Sequence, residues 1–174
     1  RAPEGRLTWA PDGRRIAYEA PSDGDWELRL DKIWVMDIES GDKELVSGAF
    51  DGNIRQFVWS PDASAILFSG LQGTNNNLYR LDLGNGRVEQ LTDHAGSLAP
   101  SSFSRDRSTM AYVAQDWDTP PDVWAGPTNG DDGHKLTDAN PWITTDVVMG
   151  ESRLIQWESQ DGLEVEGILT LPEG

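Results

Sequence analysis

Cysteine is absent from the 174 residues, which excludes disulfides and thiolate zinc sites. That absence suits cytosol and periplasm alike, so the compartment stays open. No stretch approaches the ~20 consecutive apolar residues that a membrane-spanning helix requires, and no apolar run would serve as a signal peptide. Positive charge is scarce: 14 Lys and Arg against 30 Asp and Glu give a formal net charge of −16. Nucleic acid and anionic lipid surfaces attract the opposite sign, so neither is an expected partner. The default reading of the acidic excess is solubility through self-repulsion, with a specific cation or basic partner as the alternative. Histidine is nearly missing too. His94 and His134 are the two present, both in polar, turn-rich contexts, and they read as solvent-exposed, with general-base or metal duty as the alternative. No His-Glu-x-x-His or comparable ligand spacing occurs, and no cofactor or metal is implied. A 3.6-residue apolar stripe is lacking as well, which argues against helical architecture.

What is present is a repeat. Trp9-Ala-Pro-Asp-Gly-Arg-Arg-Ile-Ala-Tyr18 matches Trp59-Ser-Pro-Asp-Ala-Ser-Ala-Ile-Leu-Phe68 and Phe103-Ser-Arg-Asp-Arg-Ser-Thr-Met-Ala-Tyr112. Behind each follows an aliphatic-aromatic pair, Ile33-Trp34, Leu78-Tyr79 and Val123-Trp124, and then a third landmark, Leu45-Val46, Leu91-Thr92 and Leu136-Thr137. Three landmarks in one order, three times over, are a period of roughly 45 residues, the length of one four-stranded propeller blade. Gly, Asn and Asp turns separate short runs rich in Trp, Tyr, Val and Ile, so each unit reads as strand, tight turn, strand, loop, strand, hairpin, strand. The fold class expected is all-β: a partial β-propeller of about three blades, with repeats near 6–50, 51–96 and 97–140. The repeated aromatics are expected to pack between blades.

The tight turn can be specified. Pro61 suits the second turn position and Asp62 the third, and because the third is Asp in every copy and never Gly, type I is favoured. The fourth position varies as Gly13, Ala63 and Arg107, from which positive φ is not expected there.

Propellers close as rings of ~4–8 blades. Three repeats leave open edges and apolar faces, so the chain is expected to be part of a larger propeller, or else to assemble with copies of itself. A fourth Asp turn is due near residue 147, where Val147-Val148-Met149-Gly150 stands instead. A degenerate fourth unit reaching "ILTL" at 168–171 is the alternative to a break in the fold at that point.

"WAPDGRRIAY" and "WSPDASAILF" resemble the repeats of TolB-type propellers, which occur alone and in front of the peptidase domain of the prolyl oligopeptidase family. The tail carries the distinction. Trp157-Glu-Ser159-Gln-Asp161-Gly162 and Gly167-Ile-Leu169-Thr-Leu-Pro172 resemble the Trp/Phe-x-Ser/Thr-x-Asp-Gly and Gly-x-Leu-x-x-Pro segments that form the first hairpin of the α/β-hydrolase domain in acylaminoacyl-peptidase-like and dipeptidyl-peptidase-like members. The residues support a hairpin unaided: Asp161-Gly162 is a strong turn dipeptide between alternating apolar arms, and Pro172 ends the second arm. On this resemblance residues 1–146 are propeller, and 147–174 are a linker and the start of a peptidase domain whose remainder lies outside this chain. The implied role is substrate gating for a serine peptidase acting on short peptides. The alternative is a non-enzymatic TolB-like propeller that binds a protein partner.

The family's nucleophile sits in Gly-x-Ser-x-Gly, which this sequence lacks; Gly150-Glu-Ser152-Arg-Leu154 misses the final Gly and precedes a strand. No catalytic residue is therefore assigned, and the chain alone is expected to be inactive. Asp23-Gly-Asp25, Asp116-Trp-Asp118 and Asp131-Asp132 do not reproduce a calcium loop and read first as solvated loop charges. The candidate substrate-binding residues are Asp116, Trp117 and Asp118, in "QDWDTPP". There a carboxylate beside an aromatic could hold a peptide amino terminus, as propeller acids do in some dipeptidyl relatives. The Glu-Glu pair of one dipeptidyl branch is not found.

Overall fold

A computed structural model describes residues 5–22, 30–130, 133–147 and 149–172. The acidic pairs at 23–25 and 131–132 lie outside them. Strand content follows the repeat. Strands β1 (Gly5–Trp9), β2 (Arg15–Pro21), β3 (Asp31–Asp37) and β4 (Lys43–Leu45) form one antiparallel sheet in sequence order. Strands β5 (Asn53–Trp59), β6 (Ala65–Gln72), β7 (Asn75–Asp82) and β8 (Val88–Gln90) form a second meander, and β9 (Ser97–Phe103), β10 (Thr109–Gln115), β11 (Asp122–Pro127) and β12 (His134–Lys135) a third. The second and third are joined edge to edge by one parallel bridge, Asn76 to Ser97. Helix α1 (Pro141–Asp146) and the hairpin β13 (Glu151–Glu158) and β14 (Glu164–Leu171) complete the order.

The core lies between sheets rather than within one. Ala10, Ala17, Ile33 and Val35 of the first unit pack on Phe57, Trp59, Ile66, Phe68, Tyr79 and Leu81 of the second. Leu67 and Leu78, on the opposite face of the second unit, pack on Leu98, Met110, Tyr112 and Ala114 of the third. Successive residues of β6 thus serve opposite faces, as the two-residue period of a strand demands. Phe68 stacks on Tyr79 at 5.4 Å between ring centroids, and Phe50 meets both edge-on at 4.9 and 4.8 Å.

The turn between the first two strands is built alike in every unit. Gly13 donates its N–H to Ala10 O, Ala63 to Ser60 O and Arg107 to Ser104 O, each at 3.0 Å. The fourth residue, however, is left-handed in all three copies: φ is +69° at Gly13, +57° at Ala63 and +63° at Arg107. The expectation that this position would not need positive φ is corrected. Variation in residue type misled because Ala and Arg tolerate the conformation at a cost, about 1–2 kcal/mol for an L residue. The Asp at the third position offsets it: Asp12, Asp62 and Asp106 accept the N–H of Arg14, Ser64 and Ser108 at 2.8, 3.1 and 3.1 Å. With the Ser60 and Ser104 hydroxyls donating as well, the Asp62 and Asp106 carboxyls are held down to about 2.

A second device recurs at intervals of 45 and carries no apolar signature. The hydroxyls of Ser47, Thr92 and Thr137 accept the N–H of Ile33, Leu78 and Val123 at 2.8, 2.9 and 2.9 Å. They tie the chain just past the outer strand of each unit to its third strand.

The aromatic landmarks do pack between units where a preceding unit exists. Trp59 is 2% exposed and donates Nε1–H to Thr8 O at 3.3 Å, with the Arg15 guanidinium stacked on its ring, whereas Trp9 is 57% exposed. Trp59 faces the first unit; Trp9, at the matching register, faces a side where no described residue packs.

Hairpin β13–β14 pairs in unbroken register from Glu151–Leu171 to Glu158–Glu164. Gly162, at φ +82°, closes the turn by donating to Ser159 O at 3.0 Å. The strands pair with each other and with no strand of the three units among the described residues.

Candidate functional site

The three candidate residues sit in the loop that leaves β10. Asp116 donates its N–H to Thr119 O at 3.2 Å, and its Oδ1 accepts the Asp118 N–H at 2.9 Å, so the loop folds on its own first carboxylate. Behind it Gly96, at φ +109°, allows the backbone at Gln115 and Asp116 to approach; a Cβ there would meet Gln115 O and Asp116 Cα. The His94 ring closes the same approach, with Nε2 3.0 Å from Gln115 O. His94 is half-buried by this contact, against the expectation of an exposed ring, while His134 is exposed.

The far end of the loop is fixed by Asp122, 3% exposed at the start of β11. Its Oδ1 accepts the Thr137 hydroxyl at 2.6 Å and the Ala139 N–H at 2.9 Å, and Lys135 Nζ lies 2.8 Å from Oδ2. The Lys135 ammonium, the Thr137 hydroxyl and the Ala139 amide together hold this carboxyl down to about 2. Asn77 holds the equivalent place one unit earlier, where Oδ1 accepts the Thr92 hydroxyl and the His94 N–H, both at 2.8 Å. Lys32 stands there in the first unit and reverses the polarity, donating to Phe50 O at 2.5 Å. This buried polar position was missed in the sequence because one site takes Lys, Asn and Asp.

Between the loop and the segment around α1 opens a cleft of about 360 Å³, lined by Asp116, Trp117, Pro120, Trp142, Ile143 and Met149 among others. Trp117 is half-buried in its wall. Asp116 contributes the carboxylate, and exposed Asp118 lies outside the lining. Trp142, Ile143 and Met149 come from the stretch where the repeat loses its signature, so no motif announced them. An apolar, aromatic wall with a carboxylate at its rim can hold a cationic group attached to an apolar body. Besides the Asp116 carboxylate, the polar groups of the lining are the Thr119 hydroxyl and the Gln115 amide. Among the described residues no group of three or more His, Asp or Glu could hold a metal ion, and no helix is long and apolar enough to cross a membrane.

A second, larger cleft of about 440 Å³ opens where the β6–β7 turn at Gly73 meets the hairpin, which lines it with Gln156, Trp157, Glu158, Glu164, Val165 and Glu166.

Residues 6–168 match the model of the TolB beta propeller domain, and the chain belongs to that family. Dipeptidyl-peptidase 5 of Porphyromonas gingivalis is 28% identical over 123 residues, covering 70% of this chain and 18% of that protein. The Tol-Pal system protein TolB of Francisella tularensis is 29% identical over 85 residues, 49% of this chain and 20% of the relative. The chain therefore spans about a fifth of the length of these relatives. Among solved structures, Pyrococcus horikoshii acylaminoacyl peptidase superposes with a TM-score of 0.68 at 22% identity over 93% of this chain and 24% of its own. TolB from Acinetobacter baumannii gives 0.62 at 20% identity over 95% and 40%. The fold is thus one that peptidases and TolB proteins share.

Proposed function

We propose that this chain is the substrate-gating propeller portion of a serine-type peptidase acting on short peptides. Residues 1–146 are then blades, and 147–174 are the linker and opening hairpin of an α/β-hydrolase domain. The observation that carries the reading is the separate hairpin β13–β14, built from the Trp157–Gly162 and Gly167–Pro172 segments. The relationship to dipeptidyl-peptidase 5 over 70% of the chain supports the peptidase side of this reading. On this reading Ser, Asp and His lie beyond residue 174, and this chain excludes large substrates and guides small ones. The cleft at Asp116 and Trp117 receives the peptide's amino terminus, with its ammonium on the carboxylate and its first side chain on the aromatic wall.

The gene downstream tests this. Roughly 200 further codons containing Gly-x-Ser-x-Gly support it, and an immediate stop or another Ser-Pro-Asp-Gly unit overturns it. In the complete enzyme, Asp116→Asn raises KM for peptides with a free amino terminus and spares blocked ones; an unchanged KM removes the loop from the site. The second reading, a non-enzymatic propeller binding a protein, is favoured by the TolB relatives and predicts the stop codon.

A further inference from the structure

We infer that Glu166 is a latch that docks hairpin β13–β14 onto the β6–β7 turn of the second unit and sets the angle between them. Much of the hairpin's apolar surface is uncovered, so a polar contact to the units carries weight. Leu154, Trp157, Leu163 and Leu171 are all exposed, and the strands pair only with each other among the described residues. Glu166 reaches across instead. Its Oε1 accepts the Thr74 N–H at 2.6 Å and the Thr74 hydroxyl at 3.2 Å, linking residues 92 apart in sequence. Its Oε2 accepts from Gln156 Nε2 at 3.4 Å, directly opposite in the hairpin register, so the partner strand aims the carboxylate. The bond to the Thr74 amide pulls the carboxyl below its usual range.

The receiving turn is shaped for this occupant. Gln72 pairs with Asn75, leaving Gly73 and Thr74 as a two-residue hairpin loop with φ +54° at Gly73. Glycine at the first central position is what such a turn requires of its backbone. The latch asks for something further: a Cβ at Gly73 would collide with Glu166 Oε1 and Cδ. Gly73 therefore serves two demands, positive φ and an open notch, and a substitution can separate them. Asn tolerates positive φ but fills the notch. The inference stands on this contact and does not depend on a peptidase domain following the hairpin.

The test uses this chain, with amide hydrogen exchange at Thr74 and thermolysin cleavage in the 147–150 stretch. Glu166→Ala and Gly73→Asn should each cut Thr74 protection by about tenfold or more and speed cleavage, while core amides such as Ile66 and Leu78 keep theirs. The double variant should be no worse than either single one. Unchanged Thr74 protection in Glu166→Ala overturns the latch, and so do additive effects in the double variant. Loss of protection at Ile66 and Leu78 overturns it as well, since Glu166 would then be supporting the whole fold.

Discussion

Strands β6 and β13 are both eight residues long, yet six consecutive residues of β6 are buried and none of β13 is. The difference comes from what lies on either side. β6 sits in the middle unit, with a sheet packed on each face, so Ile66 and Phe68 find apolar partners on one side and Leu67 on the other. Among the described residues β13 has one antiparallel neighbour and no strand of a second sheet paired beside it, and a two-stranded ribbon is marginal by itself. Its order rests on the turn at Gly162 and the Glu166 contact with Thr74. In this molecule burial is a property of neighbouring units more than of strand sequence: Trp59 and Trp9 share a register and differ from 2% to 57% exposed.

That contrast can be broken from the middle unit outward. Phe68→Ala removes a 1% exposed ring from the aromatic cluster and should cost about 3–5 kcal/mol in urea unfolding. A loss under about 1 kcal/mol would mean the first two units do not share a core. Next comes the Asp turn. The folded carboxyls of Asp62 and Asp106 are depressed from 3.8 to about 2, so their contribution is fully present above pH 3.8 and is lost as pH falls toward 2. Melting temperature should drop through that window, and the drop should be shallower in the Asp62→Ala, Asp106→Ala double variant. Gly13→Ala, at φ +69° with open space around it, should destabilise by about 1 kcal/mol. Ala63→Gly should stay within about 0.5 kcal/mol of neutral, because relief at φ +57° is offset by the loss of a buried methyl. Smallest of all, Leu154→Ala on the hairpin should leave the unfolding midpoint within about 0.5 kcal/mol of unchanged.

The repeat was legible because its landmarks are local. The aromatic, the Asp turn and the aliphatic-aromatic pair each lie within one strand or one turn, and strand chemistry needs no distant partner to be read. The hairpin was legible for the same reason, from Asp161-Gly162 between alternating arms. Position 32/77/122 was not, since Lys, Asn and Asp answer one requirement there, a polar tie from the third strand to the chain beyond the fourth. The positive φ at Ala63 and Arg107 was hidden because the compensation comes from the Asp beside each, so residue type at the strained position itself carried no signal.

The candidate site divides similarly. "QDWDTPP" singled out Asp116 and Trp117, and both line a cleft. Asp118 was grouped with them by adjacency, but its backbone is used to close the turn on Asp116. Trp142, Ile143 and Met149 reach the same cleft from the stretch around α1, where the sequence shows only the end of a pattern.

By itself, the sequence determined the strand content, the period of the units, the turn positions and the hairpin. All of these follow from alternation and turn chemistry within about ten residues. Only the tertiary structure decided which face of each sheet is buried, that Glu166 meets Thr74, and that the loop after β10 shares a cleft with the segment around α1. These depend on which surfaces are brought together across roughly 25 residues or more, and no local preference encodes that.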